Sequence, residues 1–172
     1  MITVRVEQPA DIAAIRQAND RAFGRAAEGA VVDRLRVACP DVLSLVAEEG
    51  GRVLGHALLS PVLITRDGVS VLDGMGLGPL AVVPERQRQG IGSMLVRASI
   101  RAMRARSCPF VIVLGHPEYY PRFGFERASG RGLAPQWEGI PDEAFMVLVL
   151  DERAMEGASG VAGYRSEFDQ AV

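Results

Sequence analysis

The hydrophobic and polar positions along the chain alternate between strand-like and helix-like patterns. Residues 2–6 alternate apolar and polar side chains, as a strand with one buried face does. Residues 28–38 place Val31, Val32 and Leu35 on one side of a helix. The predicted strands are residues 2–6, 43–47, 53–64, 69–83, 109–114, 123–127 and 144–150, and the predicted helices begin at residues 9, 28, 91 and 118. This order predicts a single α/β domain over residues 1–172, in which the tail 151–172 has weak structure signals.

The long predicted strand 69–83 contains residues that weaken regular strand pairing. These are Gly74, Gly76, Gly78 and Pro79. We therefore expect a bulge or a splay in the middle of the sheet.

The end of this strand leads into a glycine-containing turn and a well-patterned helix. The apolar run Leu80-Ala81-Val82-Val83 stops at a proline, and Gln87-Arg88-Gln89-Gly90-Ile91-Gly92-Ser93 follows. Amides at a helix N-terminus lack helical acceptors, the helix dipole favours negative charge there, and glycine lets a ligand approach the backbone. The segment predicts a phosphate-binding turn, and the alternative is a helix that simply begins with glycines.

The turn differs from the two common nucleotide-binding motifs. It lacks the Gly-Lys-Ser/Thr ending of a P-loop, which disfavours hydrolysis of ATP or GTP. It also lacks the third glycine of the dinucleotide fingerprint, because position 95 is Leu. The turn alone therefore leaves the ligand open.

Composition and charge exclude several broad classes. The chain has 172 residues, 48% of them hydrophobic, 23% charged, and a net charge of −2, so we expect neither nucleic-acid binding nor a membrane partner. Cys39 and Cys108 belong to no Cys/His array, which predicts small apolar core residues rather than a disulfide or a metal site. There is no signal peptide and no long apolar run, so we expect a cytoplasmic protein.

A second segment narrows the range of possible ligands. Gly115-His116-Pro117-Glu118-Tyr119-Tyr120-Pro121-Arg122-Phe123-Gly124-Phe125 follows a short apolar strand. With Gln87, Gly90 and Gly92 in the first block, and Tyr120, Gly124 and Phe125 in the second, the chain resembles the GNAT superfamily of N-acetyltransferases. The amino-acid sequence of the second block is similar to that of the YhbS-like branch of bacterial acetyltransferases.

The resemblance implies a fold, a cofactor and residue roles. The fold is a mixed central sheet of about six to seven strands, splayed in the middle and flanked by about four helices. Backbone groups of Leu80, Ala81, Val82 and Val83 would pair with the pantetheine arm of acetyl-CoA, and an amide near Val82 would hold the oxyanion. The pyrophosphate would be held by the amides of Gln87, Arg88, Gln89, Gly90, Ile91, Gly92 and Ser93, with side-chain contacts from Gln87 and Arg88.

Tyr120 matches the general acid of the family, which protonates the departing CoA thiolate. A phenol can share a proton with a thiolate of similar basicity. The alternative is a packed aromatic residue with a solvated hydroxyl. Tyr119 is interpreted as a wall or core residue, and His116 either lines the pocket or serves the turn.

The base and the acceptor amine are less defined by the sequence. His56, Asp73 and Glu28 are candidate bases beside a water relay, and a lone strand histidine is more often structural. In the family the acceptor pocket is built by the first two helices and a loop near the last strands. The only tryptophan, Trp137, and Glu138 lie in that loop, where Trp137 is either a pocket lid or surface packing.

Two functions follow from these observations. The first is an acetyl-CoA-dependent N-acetyltransferase that acts on a primary amine of a small molecule or a protein. The second is a non-catalytic sensor or interaction module that binds acyl-CoA with the same fold. Dimers are common in the superfamily, which leaves a homodimer open.

Overall fold

The strands of the chain form a nine-stranded mixed sheet, accompanied by three α-helices. The structure is a computed structural model that describes residues 1–172. The strands are β1 Thr3–Val6, β2 Leu43–Glu49, β3 Arg52–Arg66, β4 Val69–Val82, β5 Phe110–Leu114, β6 Glu126–Arg127, β7 Leu133–Pro135, β8 Phe145–Val149 and β9 Gly160–Tyr164. The helices are α1 Ile12–Phe23, α2 Ala27–Ala38 and α3 Ile91–Ala105.

The predicted α/β class with a mixed sheet is confirmed, but the element counts differ. The sheet has more strands than expected, because β7 and β9 were not predicted. The helical turn expected near residue 118 is a short 3-10 helix, Tyr120–Phe123, so three α-helices remain. The chain divides into two compact units, and its action as one domain stays a prediction.

The first unit comprises residues 1–60, 78–99 and 167–172. In it β1, β2 and the first half of β3 pair antiparallel, with Val4 opposite Ala47 and Leu45 opposite Ala57. Apolar residues of α1 and α2, such as Ile15 and Leu35, are fully buried. Burial of these helix stripes supplies most of the driving force for their formation.

The second unit comprises residues 61–77 and 100–166. Here β5 pairs antiparallel with β8, and β9 pairs antiparallel with the second half of β3. The registered parallel pairing of β4 with β5 covers only Met75–Leu77, directly before the predicted interruption at Gly78. The core of this unit is an apolar cluster that includes Val62, Ile64, Phe110, Ile112, Phe145 and Val147.

The helices of the chain are all too short or too polar to cross a bilayer. Location in the cell stays a prediction.

Candidate active site

The predicted phosphate-binding turn joins β4 to α3. A 3-10 turn, Pro84–Arg86, follows the strand, and α3 begins at Ile91. Arg88 and Gly90 both have left-handed backbones, with φ of 60° and 85°. Glycine adopts this conformation without strain, whereas Arg88 adopts it at a cost that the turn must offset.

The first helical backbone bond of α3 runs from the Met94 amide to the Gly90 carbonyl, at 3.0 Å. The amides of Ile91, Gly92 and Ser93 precede that bond, so the helix offers them no acceptor. Residues 87–90 are exposed. Ile91 is buried and Gly92 and Ser93 are half-buried, so the helix N-terminus lies directly behind the exposed turn, an arrangement that can bind anions.

Most side chains of the turn hold the turn itself in place. Gln87 Nε2 donates to the Val82 carbonyl at 3.0 Å, and Gln89 Nε2 donates to the Glu85 carbonyl at 3.1 Å. Arg86 pairs with Glu49 of β2 at 2.9 Å, and Glu85 pairs with Arg21 of α1 at 2.8 Å. These contacts fix the backbone geometry of the turn before any ligand binds.

Arg88 is the exception among these side chains. It is exposed, and its guanidinium makes no hydrogen bond or ion pair within the protein. An unpaired cation beside a helix N-terminus adds charge to the anion-binding amides. Arg88, rather than Gln87, is therefore the side chain of the turn that is free to contact a phosphate.

The four residues predicted to bind the cofactor at the end of β4 differ in the direction of their backbone groups. The Val83 amide donates to the Leu54 carbonyl of β3 at 2.9 Å. Backbone groups of successive strand residues point to opposite edges, so Ala81 and Val83 face β3. The backbone groups of Leu80 and the amide of Val82 are then directed to the other edge, where a ligand can pair with them, whereas the Val82 carbonyl already accepts from Gln87.

The approach of α3 to the sheet depends on Gly55 of β3. A Cβ at this position would lie 2.9 Å from the Ala81 carbonyl oxygen and 3.1 Å from Leu95 Cδ1. Both distances are shorter than ordinary contacts, so only glycine fits here without a shift. Gly55 thereby sets where the N-terminus of α3 lies.

Tyr120 lies in the second unit, just after β5. Its ring covers Gly115, where a Cβ would lie 2.4 Å from Tyr120 Cε2. It also meets Tyr119 and Phe125 edge-on, with ring centroids 5.1 Å and 5.6 Å away. The side chain is 7% exposed, so the predicted acid is a well-packed aromatic as well.

The hydroxyl of Tyr120 makes no hydrogen bond within the protein. Burial raises the pKa of Tyr120 well above its ordinary value, and Tyr119 raises it further. Tyr120 is therefore a neutral phenol at physiological pH, and its proton is available to a ligand.

His56 is fully buried in the first unit and belongs to a polar network. Its Nδ1 lies 3.1 Å from Asn19 Nδ2, and its Nε2 lies 2.9 Å from Ser44 Oγ. Because Asn19 Nδ2 also donates to the Ile15 carbonyl, it must be the amide nitrogen, and Nδ1 accepts. The proton is then on Nε2, Ser44 donates to Glu7, and Glu7 pairs with Arg36.

This network makes His56 unsuited to the role of base. Both ring nitrogens already have partners in the core, and burial lowers the pKa of His56 to about 4. The structural interpretation of a lone strand histidine fits what is observed.

The other two candidate bases have local partners. Glu28 is buried at the start of α2 and accepts from Arg25 Nε at 2.9 Å. Asp73 is exposed and accepts from Ser70 Oγ at 3.3 Å. Nothing in these contacts sets either carboxylate apart as a base.

The predicted residues His116 and Glu138 lie in the second unit, as does Cys108, whereas Cys39 lies in the first. His116 is exposed and lines a surface cleft with Glu118, Tyr119 and Arg122, whose guanidinium lies 4.6 Å from the Tyr119 ring centre. Glu138 is exposed. Both cysteines are free thiols, and Cys39 is buried.

Trp137 stacks on Tyr164 of β9, with ring centroids 5.5 Å apart and ring planes 28° apart. Tyr164 was missed by the sequence analysis, because two glycines weaken the strand pattern of Gly160–Tyr164. A tyrosine preceded by Gly163 in a tail is a weak signal on its own.

Comparison with known proteins gives consistent matches. The model of the acetyltransferase (GNAT) domain matches residues 3–128. The chain is 37% identical over 143 residues to the uncharacterized N-acetyltransferase YjhQ of Escherichia coli K12, with 82% of this chain and 78% of that protein covered. It is 33% identical to the uncharacterized N-acetyltransferase YhbS of the same strain, with 97% and 98% covered.

Two solved structures are similar over nearly the whole chain. The crystal structure of Escherichia coli YhbS in complex with CoA has a TM-score of 0.90, 33% identity, and coverage of 98% of this chain and 92% of that one. A GNAT family acetyltransferase from Brucella melitensis in complex with acetyl-CoA has a TM-score of 0.79, 36% identity, and coverage of 98% and 99%.

Proposed function

Because the chain belongs to the GNAT family of N-acetyltransferases, we propose that it transfers the acetyl group of acetyl-CoA directly to a primary amine of a small molecule or a protein. The observation that carries the proposal is Tyr120, a buried neutral phenol whose hydroxyl has no partner in the protein. A module that only binds acyl-CoA has no need of an unbonded proton donor.

The residues of the turn fit the anionic end of the cofactor. Two similar proteins were crystallised with CoA or acetyl-CoA, which supports the assignment. We assign the pyrophosphate to the amides of residues 87–93, with Arg88 as the side-chain contact. Gln87 instead holds the Val82 carbonyl, so its contribution to binding is through its backbone.

The backbone groups of Leu80 and the amide of Val82 are assigned to the pantetheine arm and its thioester, because the Val82 carbonyl already accepts from Gln87. They face the edge of β4 opposite β3, whereas the Val83 amide is already bonded to Leu54. The Val82 amide is the donor that we assign to the carbonyl oxygen of the thioester, where negative charge develops during attack.

Acetyl-CoA, when bound, supplies an activated thioester. In the proposed reaction the amine nitrogen bonds to the acetyl carbon and the carbon–sulfur bond breaks. Tyr120 gives its proton to the sulfur and is reprotonated from solvent, while the amine loses one proton to water. Water takes this role because His56 has no free ring nitrogen.

The experiment is an assay of thiol release from acetyl-CoA against a panel of primary amines. The panel holds polyamines, amino sugars, and peptides with a free N-terminus or a lysine. We expect at least one amine to accelerate thiol release by more than a hundredfold over water, in the range of general acid–base catalysis.

Calorimetric titration with CoA supplies the matching binding measurement. CoA binding with no amine-dependent thiol release across the panel would overturn the enzyme proposal and favour the sensor. The absence of both binding and turnover would remove the cofactor assignment as well. A homodimer stays a prediction that sedimentation in the same buffer tests.

A further inference from the structure

The corner between α1 and α2 lies next to the turn that we assign to the pyrophosphate. Arg21, in the last turn of α1, pairs with Glu85 at the start of that turn, with 2.8 Å between Nη2 and a carboxylate oxygen. Gly24 then ends α1 with a left-handed backbone, and the chain turns back into α2. Arg25 and Glu28 follow this corner, and all of these residues belong to the first unit.

Glu28 is a buried carboxylate in the first turn of α2. Its side chain is 11% exposed, whereas the side chain of its partner Arg25 is 59% exposed. Arg25 Nε lies 2.9 Å from one Glu28 oxygen and 3.2 Å from the other, and no other group of the protein donates to this carboxylate. An exposed side chain therefore balances a charge that the fold has largely removed from water.

An ion pair of this kind can exchange its cation at little cost. A buried carboxylate left without a partner is strongly destabilising, so Glu28 requires a cation at all times. The pair contributes little in return, because water solvates the exposed guanidinium of Arg25 well when it is released. An ammonium group that reaches Glu28 can therefore replace Arg25 with a small net loss.

The C-terminal segment offers Arg25 a second acceptor. Arg25 Nη2 donates to the Ala171 carbonyl at 3.1 Å. Arg34 of α2 donates to the Glu167 carbonyl at 3.0 Å, and Phe168 of the same segment is buried, so these contacts fix the segment against α2. Arg25 can therefore leave Glu28 and still keep a hydrogen bond.

We propose that Glu28 binds a second cationic group of the acceptor amine, and that Arg25 occupies this carboxylate only until the amine arrives. This rests on the proposed function, in which a primary amine attacks acetyl-CoA. The class of acceptor is a diamine: one ammonium pairs with Glu28, while the other end loses a proton and attacks the thioester. No covalent bond of Glu28 changes, so the balance of the reaction is the one given above.

A second carboxylate in the same region provides a matched control. Asp20 of α1 lies beside the residue that follows Glu28, because a Cβ on Gly29 would lie 2.5 Å from Asp20 Oδ1. Its cation, Arg16, lies 2.9 Å from Asp20 and is also held by Asp33 at 2.8 Å. Asp20 thus adds negative charge next to Glu28, but its partner is fixed from two sides and is not available for exchange.

The kinetic test compares diaminoalkanes, from 1,3-diaminopropane to 1,8-diaminooctane, with the monoamine of the same length. The series lets the distance from Glu28 to the thioester select the diamine that fits. We expect that diamine to be preferred over its monoamine by at least about tenfold in kcat/KM, and Glu28→Gln to lower this preference about tenfold through KM for the diamine, since a hydrogen bond between charged groups is lost.

The variant Arg25→Gln should have the opposite effect. It removes the competing cation, so we expect the preference for the diamine to rise about threefold. If the pair only holds α2 in place, Arg25→Gln and Glu28→Gln break the same contact and should change the preference alike, which would overturn the proposal. Equal preference for diamines and monoamines in the wild type, or an equal loss in Asp20→Asn, would overturn it as well.

Calorimetry measures the same contact without turnover. Protein saturated with CoA is titrated with each diamine, and we expect Glu28→Gln to bind the preferred one about tenfold more weakly than the wild type. If no amine accelerates thiol release, the proposed function fails, while binding that depends on Glu28 would still support the cation site. If no diamine binds, or if Glu28→Gln binds it equally well, the proposal is overturned whatever the turnover. Thermal unfolding checks that each variant is folded.

Discussion

Tyr120 and Arg88 owe their chemical character to what their neighbours do. Tyr120 stays neutral because its ring is buried against Gly115 and Phe125. Arg88 stays unpaired, whereas its neighbour Arg86 pairs with Glu49 and the Gln87 side chain donates to the Val82 carbonyl. The neutral state of Tyr120 and the unpaired charge of Arg88 thus both depend on local contacts.

Replacing Tyr120 by Phe should remove the acid while it keeps the packing. We expect kcat to fall by about a hundredfold, within the range of general acid catalysis, and the basic limb of the pH–rate profile to disappear. Calorimetry should show unchanged CoA affinity. Wild-type activity in this variant would show that Tyr120 only packs.

Replacing Arg88 by Gln removes one unpaired charge at the helix N-terminus. We expect CoA to bind about tenfold more weakly, with the difference shrinking at high salt, because a charge-assisted contact to phosphate is lost. Arg101→Gln is the matched control, since Arg101 is an exposed cation in the later turns of α3. Equal losses in the two variants would point to general attraction rather than to a contact at the turn.

The sequence predicted where these residues lie better than it predicted what each side chain does. The glycine spacing and the Tyr120-x-x-x-Gly124-Phe125 pattern were sufficient to locate the turn and the candidate acid. The division of roles between Gln87 and Arg88 depends on a bond from Gln87 to the Val82 carbonyl, which no spacing rule predicts. The tautomer of His56 likewise depends on Asn19 and Ser44, which lie on other elements.

At the scale of elements, the turn lies between β4 and α3, and Gly55 on β3 sets the distance between the helix and the sheet. The predicted bounds of α2, β4 and β5 are within about two residues of those observed, since their apolar periodicity is strong. Strand β9 was missed because its pairing with β3 and β7, rather than its own pattern, makes it a strand. Tertiary pairing of this kind is invisible to local propensity.

Gly55→Ala tests whether the position of α3 matters for binding. The added Cβ would meet the Ala81 carbonyl at 2.9 Å, so the strand or the helix must shift. We expect a loss of stability of about 1–3 kcal/mol and weaker CoA binding, because the helix amides move. Gly130→Ala is the control, since a Cβ there meets nothing within 4 Å.

At the scale of the whole molecule, the buried polar network of the first unit links pH to stability. His56 has a pKa of about 4 when folded, against 6.5 as its ordinary value. Above pH 6.5 His56 is neutral in both the folded and the unfolded chain, and its contribution to stability is complete. As the pH falls from 6.5 to 4 the unfolded chain takes up a proton that the folded chain refuses, so stability is lost.

We expect this loss to approach roughly 3 kcal/mol by pH 4, which chemical denaturation at a series of pH values would measure. Glu7 acts in the same direction at lower pH: burial opposes ionisation, but bonds from Arg36 and Ser44 lower its pKa overall. The variant His56→Gln cannot titrate and should show a flatter profile between pH 6.5 and 4. Identical slopes in the two proteins would contradict the assignment.

The stack of Trp137 on Tyr164 has a practical consequence for solution work. Trp137 is the sole indole of the chain, so all tryptophan emission originates beside Tyr164 of β9. The protein thus contains its own fluorescent reporter at that position. Amines that change the environment of this indole can be found by emission alone, before any acetylated product has been identified.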